Sequence, residues 1–188
     1  MGSPNLAGEV LPAPRRTPAR HYLFAVVLAV VGGVLGIIGA VIGELQSGAL
    51  LLLPFVGAPV IEEGLKPAGV YIALLRWPGA LSSRLFTAFL AGLGGLVFGL
   101  IEAIVYVTIY VSDAPDWFVT YRFTLPLAMH TTASFVFGLG LTTGLIDWAA
   151  GRGPLPDRTR NLYIAAVLIH AIFNTTALTL ELSGVFDV

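Results

Sequence analysis

The chain has 188 residues, of which 56% are hydrophobic and 11% charged, with a formal net charge of −1 and a mean hydropathy of +0.87. A soluble domain carries about 25% charged residues, so this chain has too few to coat a water-facing surface, and it lacks the basic face that nucleic acid requires. It has no cysteine, which excludes disulfides and thiolate metal sites.

In chain order, residues 1–20 hold Pro4, Pro12, Pro14 and Pro18 and read as a disordered cytoplasmic leader, followed by one membrane domain over residues 21–188. A membrane-crossing helix needs about 20 mainly apolar residues, and lipid admits only backbone that satisfies its own hydrogen bonds. Five stretches qualify: Tyr22–Gly43, Ala49–Leu75, Leu85–Val111, Tyr121–Ile146 and Leu162–Leu180. The first is longer than a signal-peptide core and has no small-residue cleavage site after it, so it reads as a retained span. The second carries Pro54, Gly57, Pro59, Gly64 and Pro67, which predict a bent or broken helix. Gly32 and Gly36 in the first span, and Gly95 and Gly99 in the third, have the small-xxx-small spacing of close helix contacts. The expected fold is an all-α, polytopic membrane helical bundle of about five transmembrane spans.

Charge sets the expected orientation. Arg15, Arg16, Arg20, Arg76, Arg84, Arg152, Arg158 and Arg160, eight of the ten basic residues, fall in alternate loops, which places the N-terminus in the cytoplasm and the C-terminus outside. A prokaryotic plasma membrane is the expected location.

Ionisable groups inside a span are costly and by default functional. Here they are Glu62, Glu63 and Lys66 in the second span, Glu102 in the third, His130 in the fourth, and His170 with Asn174 in the fifth. At about 1.5 Å per residue, Glu62 and Glu63 lie roughly 20 Å from the outer edge, His130 about 14 Å from it, and His170 about 12 Å above the inner edge. Glu102 leans outward. Taken singly, each has a plain structural explanation: Glu62–Lys66 is an i,i+4 ion pair, a lone intramembrane histidine usually bonds a neighbouring helix, and Arg122 would snorkel to the interface. Taken together, they put three carboxylates, two imidazoles and an amide at compatible depths on four helices. Adjacent helical residues point about 100° apart, so Glu62 is the member expected to diverge from the rest.

Two chemistries use this inventory. A desolvated carboxylate can activate water, with histidine and amide donors on the oxyanion. Alternatively, two histidines and two glutamates can hold a zinc ion with an open water position. Both hydrolyse a carbonyl bond, and both stay open. The rival readings are an ion- or proton-coupled transporter, which also keeps such groups in broken helices, and a non-catalytic membrane scaffold of the same fold.

The motifs themselves, in order, are Glu62-Glu63-x-x-Lys66, Phe98-x-x-x-Glu102, an Arg122…Pro126…His130 segment and His170-x-x-x-Asn174. This set resembles the PrsW-type intramembrane proteases, within the superfamily of CAAX prenyl endopeptidases and bacteriocin-processing (Abi) enzymes. The resemblance implies a membrane-embedded endopeptidase acting on single-span or membrane-anchored proteins at the extracytoplasmic side. It implies catalytic roles for Glu62, Glu63, Glu102, His130, His170 and Asn174, a positioning role for Lys66, and Glu63, Glu102, His130 and His170 as ligands if zinc is the cofactor. The CAAX branch has E-E-x-x-x-R and a histidine where Glu102 stands, so a prenylated substrate is not implied.

Overall fold

The computed structural model describes residues 17–47 and 57–184, and these are helical throughout, with no strand among them. Most of the expected leader, and the start of the second expected span with Pro54, lie outside the described residues. Helix α1 is Ala19–Ser47, α2 Ala58–Leu65, α3 Ala68–Arg76, α4 Arg84–Val105, α5 Asp116–Arg122, α6 Leu125–Gly138, α7 Thr143–Ala149 and α8 Asp157–Leu182. A 3₁₀ turn at Pro78–Leu81 leads into α4, and α4 runs on into a π-helical turn at Tyr106–Tyr110.

Local chemistry sets these boundaries. Pro59 opens α2, where its missing N–H is no loss, and Pro67 closes it by supplying no donor to the next turn. The carbonyl of Gly64 accepts from the Tyr71 hydroxyl at 2.9 Å, and that of Val60 from the Tyr163 hydroxyl of α8 at 2.7 Å. Ser83 caps α4 by accepting from the Phe86 amide at 3.3 Å. Pro126 starts α6 just after the chain breaks at Phe123 and Thr124.

Among the described residues three helices are long and apolar enough to cross a membrane: Ala19–Ile42 within α1, Arg84–Tyr110, and α8. Asp116–Gly138 with Thr143–Ala149 makes a fourth if that pair, bent by 80°, is counted as one span. The expected count was five. The second expected span is described only as α2 and α3, eight and nine residues long and broken at Lys66–Pro67. The fourth, expected to run unbroken over Tyr121–Ile146, is interrupted at Phe123–Thr124 and turns aside after Gly138.

Helix α4 packs between α1 and α6, α8 lies against α6, and α2 touches both α8 and α1, so these contacts close a ring. The bulky residues of α1, such as Leu23, Phe24, Val27 and Ile38, are exposed, whereas Ala25, Ala29, Gly32, Gly33 and Gly36 are buried. That inside-out pattern suits a lipid surround, where helices associate by close packing of small residues. A Cβ on Gly94 would stand 2.7 Å from the Lys66 carbonyl oxygen, and one on Gly32 would stand 2.6 Å from the Gly69 nitrogen. The break in α2–α3 is thus pressed backbone to backbone between α1 and α4. Gly95 and Gly99 do the same for α6, at 2.5 Å from the His130 carbonyl oxygen and 3.0 Å from its ring.

Candidate active site

The last turn of α2 carries Glu62 and Glu63, the break carries Lys66, α4 Glu102, α6 His130 and α8 His170. The structure brings all six together inside the ring of helices.

Lys66 is the hub. It is fully buried, and its ammonium donates to Glu63 Oε1 at 2.6 Å, contacts His130 Nδ1 at 2.7 Å, and lies 3.3 Å from Glu62 Oε2. It also sits 4.3 Å from the centre of the Phe98 ring, a cation–π contact. An ammonium has only donors, so His130 Nδ1 must accept, and the ring proton is on Nε2. That Nε2–H faces Glu102 Oε2 at 2.7 Å.

Glu63, also fully buried, is hydrogen-bonded through both oxygens. Besides Lys66 it accepts from His170 Nδ1 at 2.9 Å and from the Ser134 hydroxyl at 3.2 Å. A carboxylate can only accept, so His170 Nδ1 carries the proton and donates it in this hydrogen bond, which leaves Nε2 with a lone pair. Nε2 faces Glu62 Oε2 at 3.8 Å, and that oxygen has no hydrogen-bond partner among the described residues. Two acceptors therefore face one another across a gap that a shared cation or the hydrogens of a water would fill.

The expectation that Glu62 diverges is not met. At i,i+4 and i,i+3 from Lys66, the two glutamates start about 100° apart, yet both side chains are long enough to close on one ammonium. Arg122 also departs from expectation. Instead of snorkelling to the interface it is buried, 3.0 Å from Glu102 Oε2 by Nη2, with its guanidinium stacked 3.6 Å over Tyr106. The cation on Glu102's own helix, Arg84, stands at the opposite end of α4, and that separation was the sequence signal for a partner elsewhere. Ser134 was missed too, although it follows His130 at the same i,i+4 spacing by which Asn174 follows His170. Asn174 lies half-buried on α8, one turn beyond His170.

A half-open cavity of about 360 Å³ reaches the cluster. Glu62, Phe98 and Glu102 line it with Ala40 of α1 and with Tyr106 and Tyr110 of the π turn. Glu63 is not among the lining residues.

A sequence model of the PrsW family intramembrane metalloproteases matches residues 17–187. The chain belongs to that family. No curated protein and no solved structure matches it. As a PrsW-family member the chain is an integral membrane protein and an enzyme, a membrane-embedded protease, and the ion-coupled transporter is set aside.

The family name implies a metal, and the residues fit one. One ligand atom each from Glu62, His130 and His170 lies within 4.8 Å of the others, all three buried. Glu62 Oε2, which has no hydrogen bond, and the lone pair on His170 Nε2 are the donor types zinc takes. Glu63 would orient His170 through its second nitrogen and Glu102 would hold His130, as carboxylates behind metal-bound histidines do. Formal charge agrees: three carboxylates stand against Lys66 and Arg122, leaving one negative charge in excess. The ligand set expected from sequence was Glu63, Glu102, His130 and His170; the ligand atoms that converge are those of Glu62, His130 and His170, with Glu63 and Glu102 each hydrogen-bonded to one of the imidazoles.

Proposed function

We propose that this PrsW-family chain is an intramembrane endopeptidase that hydrolyses single-span or membrane-anchored proteins, with Glu62 as its water-activating base. The observation that carries this is the contrast within the glutamate pair. Glu62 lines the cavity and keeps a buried oxygen that has no hydrogen bond, only the 3.3 Å ion pair with Lys66, whereas Glu63 lies off the cavity and is hydrogen-bonded through both oxygens to Lys66, His170 and Ser134.

A water donating to both Glu62 Oε2 and His170 Nε2 has both hydrogens engaged and a lone pair left to attack. The substrate segment lies extended in the cavity between α1 and the π turn, its scissile carbonyl beside that water. Glu62 takes the water's proton as the C–O bond forms, then hands it to the leaving amide nitrogen as the C–N bond breaks. The Asn174 amide supplies a donor for the oxyanion. Lys66 and Glu63 fix α2 and the His170 ring, and Arg122 and Glu102 fix His130. Glu62, His130 and His170 would hold a metal if one binds, and it would supply Lewis-acid polarisation of the carbonyl and acidify the water, with Glu62 then a ligand rather than the free base.

We read α2–α3 as a broken fifth span and the arginine-rich loops as cytoplasmic, in a prokaryotic plasma membrane. Kinship with the CAAX and Abi enzymes rests on the ordered set of intramembrane motifs, although E-E-x-x-K departs from the CAAX branch's E-E-x-x-x-R. The test is cleavage of a single-span reporter in liposomes. Glu62→Gln is expected to lose at least about 100-fold in rate, the usual contribution of a general base, while staying folded. Full cleavage by that variant refutes the assignment. A wild-type protein that captures the reporter without cutting it supports the scaffold.

A further inference from the structure

The Lys66 ammonium stands where a metal ion would need to be. A neutral imidazole offers one in-plane lone pair and one N–H, and both directions on His130 are taken: Lys66 Nζ lies 2.7 Å from Nδ1, and Glu102 Oε2 lies 2.7 Å from Nε2. Zinc bonds a histidine nitrogen at about 2.0 Å, so an ion on Nδ1 in the direction of the present ammonium would lie only about 0.7 Å from it, given the 2.7 Å separation. The same ammonium is 3.3 Å from Glu62 Oε2, a second atom of the metal group. Two cations cannot share that volume.

We infer that Lys66 is a resident counter-cation whose ammonium and a metal ion are alternative occupants of one locus, so the enzyme takes up metal only as the Lys66 side chain withdraws. This rests on reading Glu62, His130 and His170 as the metal group. The backbone of Lys66 is held by the close approach of Gly94 and Gly32 to its carbonyl, at 2.7 and 3.1 Å for a Cβ at each. The exchange therefore falls to the flexible four-carbon side chain. The ammonium keeps Glu62, Glu63 and His130 together in the metal-free protein, at the expense of zinc affinity.

The experiment measures zinc binding by competition with a chromophoric chelator, and cobalt(II) binding by its visible spectrum, on the full chain in detergent. Lys66→Met has no charge to compete and is expected to bind zinc at least tenfold more tightly than wild type, with zinc raising its melting temperature more than that of wild type. Because the single variant leaves two buried carboxylates without their cation, the double variant Lys66→Met/Glu63→Gln is compared with Glu63→Gln alone. It too is expected to bind at least tenfold more tightly. Equal or weaker binding in both comparisons overturns the inference, and is the result expected if metal instead displaces Glu102 from Nε2. Failure of every variant to bind metal also overturns it. Reporter cleavage by chelated wild-type protein, measured on the same preparations, keeps that failure distinct from failure of the hydrolytic reading.

Discussion

Neighbouring glutamates in one motif are predicted to differ sharply in what they do for stability. Glu63 is fully buried and holds three partners: Lys66 at 2.6 Å, His170 at 2.9 Å and Ser134 at 3.2 Å. Glu63→Ala strips the buried ammonium of its nearest carboxylate, and breaking a buried pair in this way costs about 3–5 kcal/mol. Glu62→Ala loses only the 3.3 Å approach to Lys66 and also removes a buried oxygen that has no hydrogen bond. An unsatisfied buried group costs about 1–3 kcal/mol, so its removal offsets the lost attraction, and Glu62→Ala is expected within about 1 kcal/mol of wild type. Equilibrium unfolding in mixed micelles, followed by the fluorescence of the three tryptophans, reads both variants. Equal destabilisation, or the reverse order, would refute the division of labour between a structural Glu63 and a reactive Glu62.

Four further outcomes are expected. Gly95→Ala places a methyl 2.5 Å from the His130 carbonyl oxygen, so it should destabilise by about 1–3 kcal/mol and lower kcat, read by unfolding and reporter cleavage together. Ala40→Trp fills the cavity wall away from the charged cluster, so it should abolish reporter cleavage while zinc binding is unchanged; unchanged cleavage would place the substrate elsewhere. Tyr163→Phe removes the 2.7 Å bond to the Val60 carbonyl and should cost about 1 kcal/mol in the same unfolding assay. Reporter fusions at Gly153 and at the C-terminus should report opposite sides of the membrane; matching signals would refute the five-span topology.

Much of the site was legible because lipid makes charge conspicuous. Glu62, Glu63, Lys66, Glu102, His130 and His170 stand out in apolar runs, and a bundle this small leaves them little choice but to meet. The helix break was legible as well, since Pro67 cannot donate to the preceding turn. What the sequence concealed depends on rotation and pairing. Periodicity separates Glu62 from Glu63 by an angle, but it cannot say that Lys66 draws both inward. Arg122 was misread because its nearness to a span end favoured the interface, while its actual partner, Glu102, lies on another helix. Ser134 carries no charge and blends into an apolar helix. The 80° turn before α7 was hidden because Gly140 and Thr142 interrupt hydropathy only briefly.

The glycine contact behind Lys66 has a mechanical consequence. Membranes differ in thickness, and helices adjust to them chiefly by tilting. Where α1 and α4 clasp the Lys66–Gly69 backbone, no side chain is available to yield, so the crossing acts as a fulcrum. Tilt about a fulcrum moves points in proportion to their distance from it. The Lys66 cluster would then hold its geometry in thin and thick bilayers alike, while the far ends of α1 and the π turn swing. The width of the cavity mouth, and with it access for a substrate, becomes the quantity that bilayer thickness tunes.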